Sequence, residues 1–257
     1  MAKIKDWCNG TETKVNSHKL TYLEADPAKH DTAVAFIADV VPGHYAAAPR
    51  IAHILARLGK AEAAEYIATK LPAGAKSRSG DIGEMLASSF VTDFTDYKVG
   101  VLKLRWKDHR EMAMRGDDIL AFKAAPGSEM NFLKGEVKSR ASLTKKTVEE
   151  ARKALSASNG RPTPHALAFI ADRLYETGQT DLSDLIEECQ LKRRISLEQI
   201  SHMMIVFTGN DSRGLLSADL MAYTGRIPQH SVGLRVPIHQ AFIKEIFEKV
   251  IADAKKP

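Results

Sequence analysis

Apolar residues recur at helical spacing from Asp31 to about Leu71, first in "TAVAFIADVV" and then in the Ala-rich "PRIAHILARLGKAEAAEYIATKL". Gly43, Pro49 and Gly59 punctuate this stretch, which therefore reads as several helices and not one. Residues 1–27 are more polar and read as a β-hairpin start. "LPAGAKSRSG", residues 71–80, reads as a linker. "DIGEMLASSFV" then predicts a helix with Asp81 as its N-cap.

The texture changes after that helix. "KVGVLKLRW" (98–106), "EMAMRGDDILAF" (111–122) and "NFLKGEVKS" (131–139) predict three strands. The first connection, "KDHR", is short, and the second carries Pro126-Gly127, a strong turn signal. Short connections favour antiparallel neighbours, so the three strands are expected to form a meander. "SLTKKTVEEARKALSAS" predicts a helix stopped by Asn159-Gly160 and Pro162, and "TPHALAFIADRLYETG" another with Pro164 in its first turn. "HMMIVF" (202–207) is wholly apolar, as a central strand covered on both faces would be. "VGLRVPI" predicts a later strand and "HQAFIKEIFEKVIADAKK" a final amphipathic helix. Helix, three strands, helix, strand implies an α/β fold, a mixed β-sheet flanked by helices. Residues 1–75 form a mainly helical N-terminal segment suited to docking a partner, and 76–257 form the second unit.

Composition narrows the class. The 257 residues are 44% hydrophobic and 27% charged, as in an ordinary globular protein. No run is apolar enough to span a bilayer, the first residues lack a secretory signal, and Cys8 and Cys189 lack metal-ligand spacing. A cytoplasmic protein with reduced thiols and no membrane contact is the expectation. The net charge of +5 is a weak pointer to a polyanionic partner, but its distribution says more. Residues 134–153 hold seven basic side chains against three acidic ones, an excess of +4 in that window alone.

The chemistry concentrates in "RGDDILAFKAAPGSEMNFLKGEVKSR", residues 115–140. Residues two apart on a strand share a face, so Glu136 and Lys138 project together while Val137 points away. Asp117 or Asp118, on the preceding strand, lies within hairpin reach of Glu136. Two carboxylates held close raise each other's proton affinity unless a cation sits between them, and Mg²⁺ favours such company together with water and phosphate oxygens. A lysine alongside can orient an attacking water and stabilise charge developing on phosphorus. A lone Glu-x-Lys is commonly just a solvated cross-strand pair. The combination with the aspartate and the basic helix that follows is more specific.

"RSGDIGEMLASSF", "GDDILAF" and "GEVKSR" together resemble the PD-(D/E)XK nuclease superfamily and, more narrowly, the HamA-like proteins of the Hachiman anti-phage defence system. The resemblance is most specific over residues 78–143. It implies a DNA-cleaving effector that works with, and is restrained and activated through, a HamB-like helicase subunit. It also implies a core of helix, three-stranded meander, helix and strand, with Mg²⁺, or Mn²⁺ in its place, as cofactor. The family's metal ligands map onto Asp118 or Asp117 and onto Glu136, its lysine onto Lys138, and the helical glutamate onto Glu84. Asp118 is favoured because it stands directly before the apolar Ile119. No proline precedes the aspartate, which departs from the family pattern. Arg140, Lys145, Lys146 and Arg152 are the candidate nucleic-acid contacts. The alternative is a catalytically silent nucleic-acid-binding or assembly subunit of the same complex.

Overall fold

The computed structural model describes residues 3–123 and 129–255. In chain order its elements are α1 (Ile4–Trp7), β1 (Cys8–Val15), β2 (His18–Ala25), α2 (His30–Tyr45), α3 (Ala48–Leu58), α4 (Lys60–Lys70) and α5 (Ala75–Phe94). There follow β3 (Lys98–Val99), β4 (Ile119–Lys123), β5 (Asn131–Arg140), α6 (Lys145–Ser156), α7 (Pro164–Glu176) and α8 (Thr180–Glu188). The chain closes with β6 (Ile200–Thr208), α9 (Arg213–Ala222), β7 (Gln229–Arg235) and α10 (His239–Lys255). Among the described residues the strands make one seven-stranded sheet in the order β1-β2-β7-β6-β5-β4-β3. The four central strands β2, β7, β6 and β5 run parallel, with antiparallel pairs at both edges. The mixed sheet flanked by helices is the architecture that the hydrophobic pattern predicts.

Parallel strands need both faces covered, and the two faces of this sheet carry different helices. On one face Val137, Ile205, Phe207 and Leu234 pack with Ile37 of α2, Ile82 and Phe90 of α5 and Phe247 of α10. The opposite face holds two smaller clusters. Leu120, Phe122 and Phe132 pack under α7 and α8, while Leu20, Met204 and Val206 pack under α6 and α9. Each large side chain so buried is worth roughly 1.5–3 kcal/mol relative to exposure. Met203 and Met204 go to opposite faces, as strand alternation requires. Residues before position 75 supply β1 and β2 to this sheet, and α1 and α2 share the largest core with α5 and α10.

Several local expectations are corrected. The linker over 71–80 is shorter, because α5 begins at Ala75. Asp81 is therefore no N-cap. It lies inside α5, where its carboxylate is buried against Lys107 at 2.7 Å and accepts the Tyr45 hydroxyl at 2.6 Å. The strand over 98–106 stops at Val99, and Lys103–Trp106 form a 3-10 turn. There Lys103 and Arg105 bond backbone carbonyls of Asp117 and Gly43, which draws the chain off the sheet edge. The strand over 111–122 is only β4, starting at Ile119. Upstream of it Gly116 adopts φ +88, a left-handed conformation that breaks extended pairing. The Pro126-Gly127 turn lies outside the described residues.

Candidate active site

The site is built where β4 begins. Ile119 pairs with Gly135, and continuing that antiparallel register by one residue sets Asp118 opposite Glu136. Asp118 leaves the ladder there, and its Oδ2 accepts the N–H of Val137 at 2.8 Å. On β5, Glu136 and Lys138 share a face and pair at 2.5 Å, while Val137 enters the core on the other side. Both members of that pair keep partial exposure, 13% for Glu136 and 19% for Lys138.

The fourth group comes from α5. Ser79 is hydrogen-bonded to Ser139 of β5 at 2.7 Å, and Ser139 also meets His239 at 3.0 Å, so helix and strand are pinned together. Gly83 permits the close approach: a Cβ there would lie 3.2 Å from both Val137 and Ser139. Its neighbour Glu84 then lines a narrow cavity shared with Asp118, Lys103, His44 and Ser88. Burial and then the Asp118 charge push the Glu84 carboxyl up to about 8, with Lys103 pulling back. Asp118 is raised by burial, against the Val137 N–H, Lys103 and Lys138. Glu136 is raised by burial and then by Asp118, against Lys138. Asp118 thus disfavours the ionised form of Glu84 and of Glu136, and carboxylates paired in this way are a donor set that a hard divalent cation relieves. The fit has a limit. Among the described residues the only group of three potential ligands mutually within 4.8 Å is His30, Asp31 and Glu245, on α2 and α10. The candidate site therefore presents carboxylates in pairs, suited to an ion that keeps much of its water.

The doubled aspartate divides its labour. Asp117 is buried with Lys134 at 3.5 Å, and its Oδ2 accepts the N–H of Thr163, the N-cap of α7, at 2.8 Å. Lys134, only 2% exposed, also donates to the carbonyls of Ala157 and Arg161. Asp117 thus ties β5 to the start of α7, and Asp118 is the member that faces the cavity. Strand alternation places the two equally; the contacts of Asp117 with Lys134 and Thr163 and the cavity beside Asp118 distinguish them.

The basic window divides in the same way. Arg140, Lys145, Lys146 and Lys153 are exposed, and Lys145 stands 3.7 Å from Glu149. Arg152, expected among the nucleic-acid contacts, is turned inward instead. It pairs with Asp219 at 2.5 Å, donates to Gln229 and lies over the Tyr223 ring. Lys103 is the residue that the sequence does not single out, since it sits in a stretch that reads as an ordinary strand.

The HamA family model matches residues 2–250. A relative from Bacillus cereus, the Hachiman protein HamA, is 26% identical over 248 residues, which cover 94% of this chain and 88% of that protein. The match runs through the hairpin, the helices and the candidate site alike, and the chain belongs to the HamA family.

Proposed function

We propose that this protein is a Mg²⁺-dependent deoxyribonuclease, the effector of an anti-phage defence complex that includes a helicase subunit. The placement of Asp118 between two partners carries the reading: it stands opposite Glu136, whose side chain pairs with Lys138, and it shares a narrow cavity with Glu84. The HamA family and its Hachiman relative support the setting in defence.

In this reading Asp118 and Glu136 hold the cation, Mn²⁺ being able to stand in, and Glu84 bounds the site from the α5 side. The bound ion would acidify a water and offset charge growing on the scissile phosphate. Lys138 projects on the same face as Glu136, where its ammonium orients the attacking water and stabilises charge on phosphorus. Arg140, at the end of the same strand, and Lys145 and Lys146, at the start of α6, contact DNA phosphates without reading sequence. Arg152 braces α6 from within. The helicase docks on the N-terminal segment, where α3 exposes Leu55 and Leu58, and restrains cleavage until DNA is engaged.

A second reading has one observation in its favour. Among the described residues no three carboxylates of the site close on a common point, and Lys138 already neutralises Glu136. That arrangement also fits a catalytically silent DNA-binding or assembly subunit. Plasmid DNA incubated with the protein, with and without helicase partner, ATP and Mg²⁺, separates the two. Mg²⁺-dependent cleavage lost in Glu136→Ala and Lys138→Ala supports the nuclease. Binding without cleavage under every condition supports the silent subunit.

A further inference from the structure

Lys103 is buried, 8% exposed, in the 3-10 turn that walls the cavity of Glu84 and Asp118. A buried ammonium is costly unless it is hydrogen-bonded and its charge is answered. Its Nζ donates to the carbonyl of Asp117 at 2.5 Å. That carbonyl belongs to the peptide joining Asp117 to Asp118, so the bond fixes the main chain from which the Asp118 side chain springs. The far end of Asp118 is fixed by the Val137 N–H. The same ammonium is close enough to bear electrostatically on both Glu84 and Asp118.

We propose that Lys103 is a second lysine of the site, a positioning residue that clamps the Asp117–Asp118 peptide and so holds Asp118 in its ligating pose. This rests on the nuclease reading of the site. Lys138, partly exposed beside Glu136, faces the substrate side. Lys103 is enclosed by the chain and does not reach a nucleic-acid backbone. Its removal should therefore change turnover and metal affinity while leaving DNA affinity alone.

The test compares the full-length wild type with Lys103→Met, Lys103→Gln and Lys103→Arg, each checked by circular dichroism and a thermal melt. Two quantities are read: Mn²⁺ affinity by calorimetry, and kcat and KM for plasmid cleavage in Mg²⁺, with the helicase subunit present if wild type requires it. Lys103→Met is expected to weaken Mn²⁺ binding and lower kcat by about tenfold or more each, with KM for DNA unchanged. Lys103→Arg, which keeps charge and donor, should recover most of both. Lys103→Gln serves in its place if the methionine variant does not fold, with the same expected losses. Unchanged or tighter Mn²⁺ binding in folded Met or Gln variants would overturn the clamp, since a mere nearby charge would then be all that was removed. A rise in KM with kcat intact would overturn it too. If wild type never cleaves DNA, the nuclease reading fails by itself, and the Mn²⁺ titration still decides the role of Lys103.

Discussion

At the scale of single residues, Asp117 and Asp118 make the sharpest contrast. Asp117 answers a buried lysine and a helix N-terminus, and Asp118 faces a cavity that it shares with Glu84 and Lys103. Asp117→Asn leaves the ammonium of Lys134 buried without its counter-charge, at a cost of about 3–5 kcal/mol. Asp118→Asn keeps an acceptor for the Val137 N–H and removes a charge that opposes Glu84 and Glu136. Its stability should lie within about 1 kcal/mol of wild type, while cleavage drops about 100-fold or more. Urea denaturation and a plasmid assay on both variants check this. Equal losses of stability would contradict the division of roles. The pair was visible in the sequence as "GDD", but strand alternation gives no choice between neighbours when both faces are covered. The choice is made by Thr163 and Lys134, which come near only after folding.

At the scale of elements, α6 has an outer and an inner basic set. Lys145→Glu and Lys146→Glu should weaken DNA binding and flatten its salt dependence, by about one unit of slope for each phosphate no longer neutralised. Arg152→Ala should leave that slope unchanged and cost about 2 kcal/mol of stability, because it strips Asp219 and Gln229 of a charged donor. Fluorescence anisotropy across a salt series, together with a denaturation curve, distinguishes the two. A changed salt slope in Arg152→Ala would contradict the inward role. Composition marks the window as basic but does not say which side chains turn in. The order of helix, meander, helix and strand was legible because apolar periodicity is local. The lengths of β3 and β4 were not. Lys103, Arg105 and Asp117 take those segments off the ladder through bonds to distant backbone, and Gly116 turns the chain before β4 can start. α8 and α9 also escaped the pattern, each burying few residues within a mostly exposed helix.

At the scale of the whole molecule, His44, His202, His230 and His239 are all buried or largely so, and burial lowers each from 6.5 to about 4. Between those values the unfolded chain binds more protons than the folded one, so stability contributed by these histidines is complete above pH 6.5 and lost as pH falls toward 4. Glu84 acts in the opposite sense. Raised from 4.5 to about 8, its contribution is complete below pH 4.5 and lost as pH rises through 8. Urea midpoints should therefore fall from pH 6.5 to 5, and Glu84→Gln should weaken any decline between pH 6.5 and 8.5. A midpoint that rises on acidification to pH 5 would contradict the neutral buried histidines. The mixed sheet, the upstream glutamate and the Asp/Glu-x-Lys set could all be read from the chain, whereas the counter-charges that stabilise them come from segments far apart in sequence. The most direct measurement is plasmid cleavage in Mg²⁺ by wild type and Asp118→Asn, alone and with the helicase subunit and ATP. Cleavage that requires the cation and disappears in Asp118→Asn is the predicted result; cleavage that persists in Asp118→Asn would contradict it.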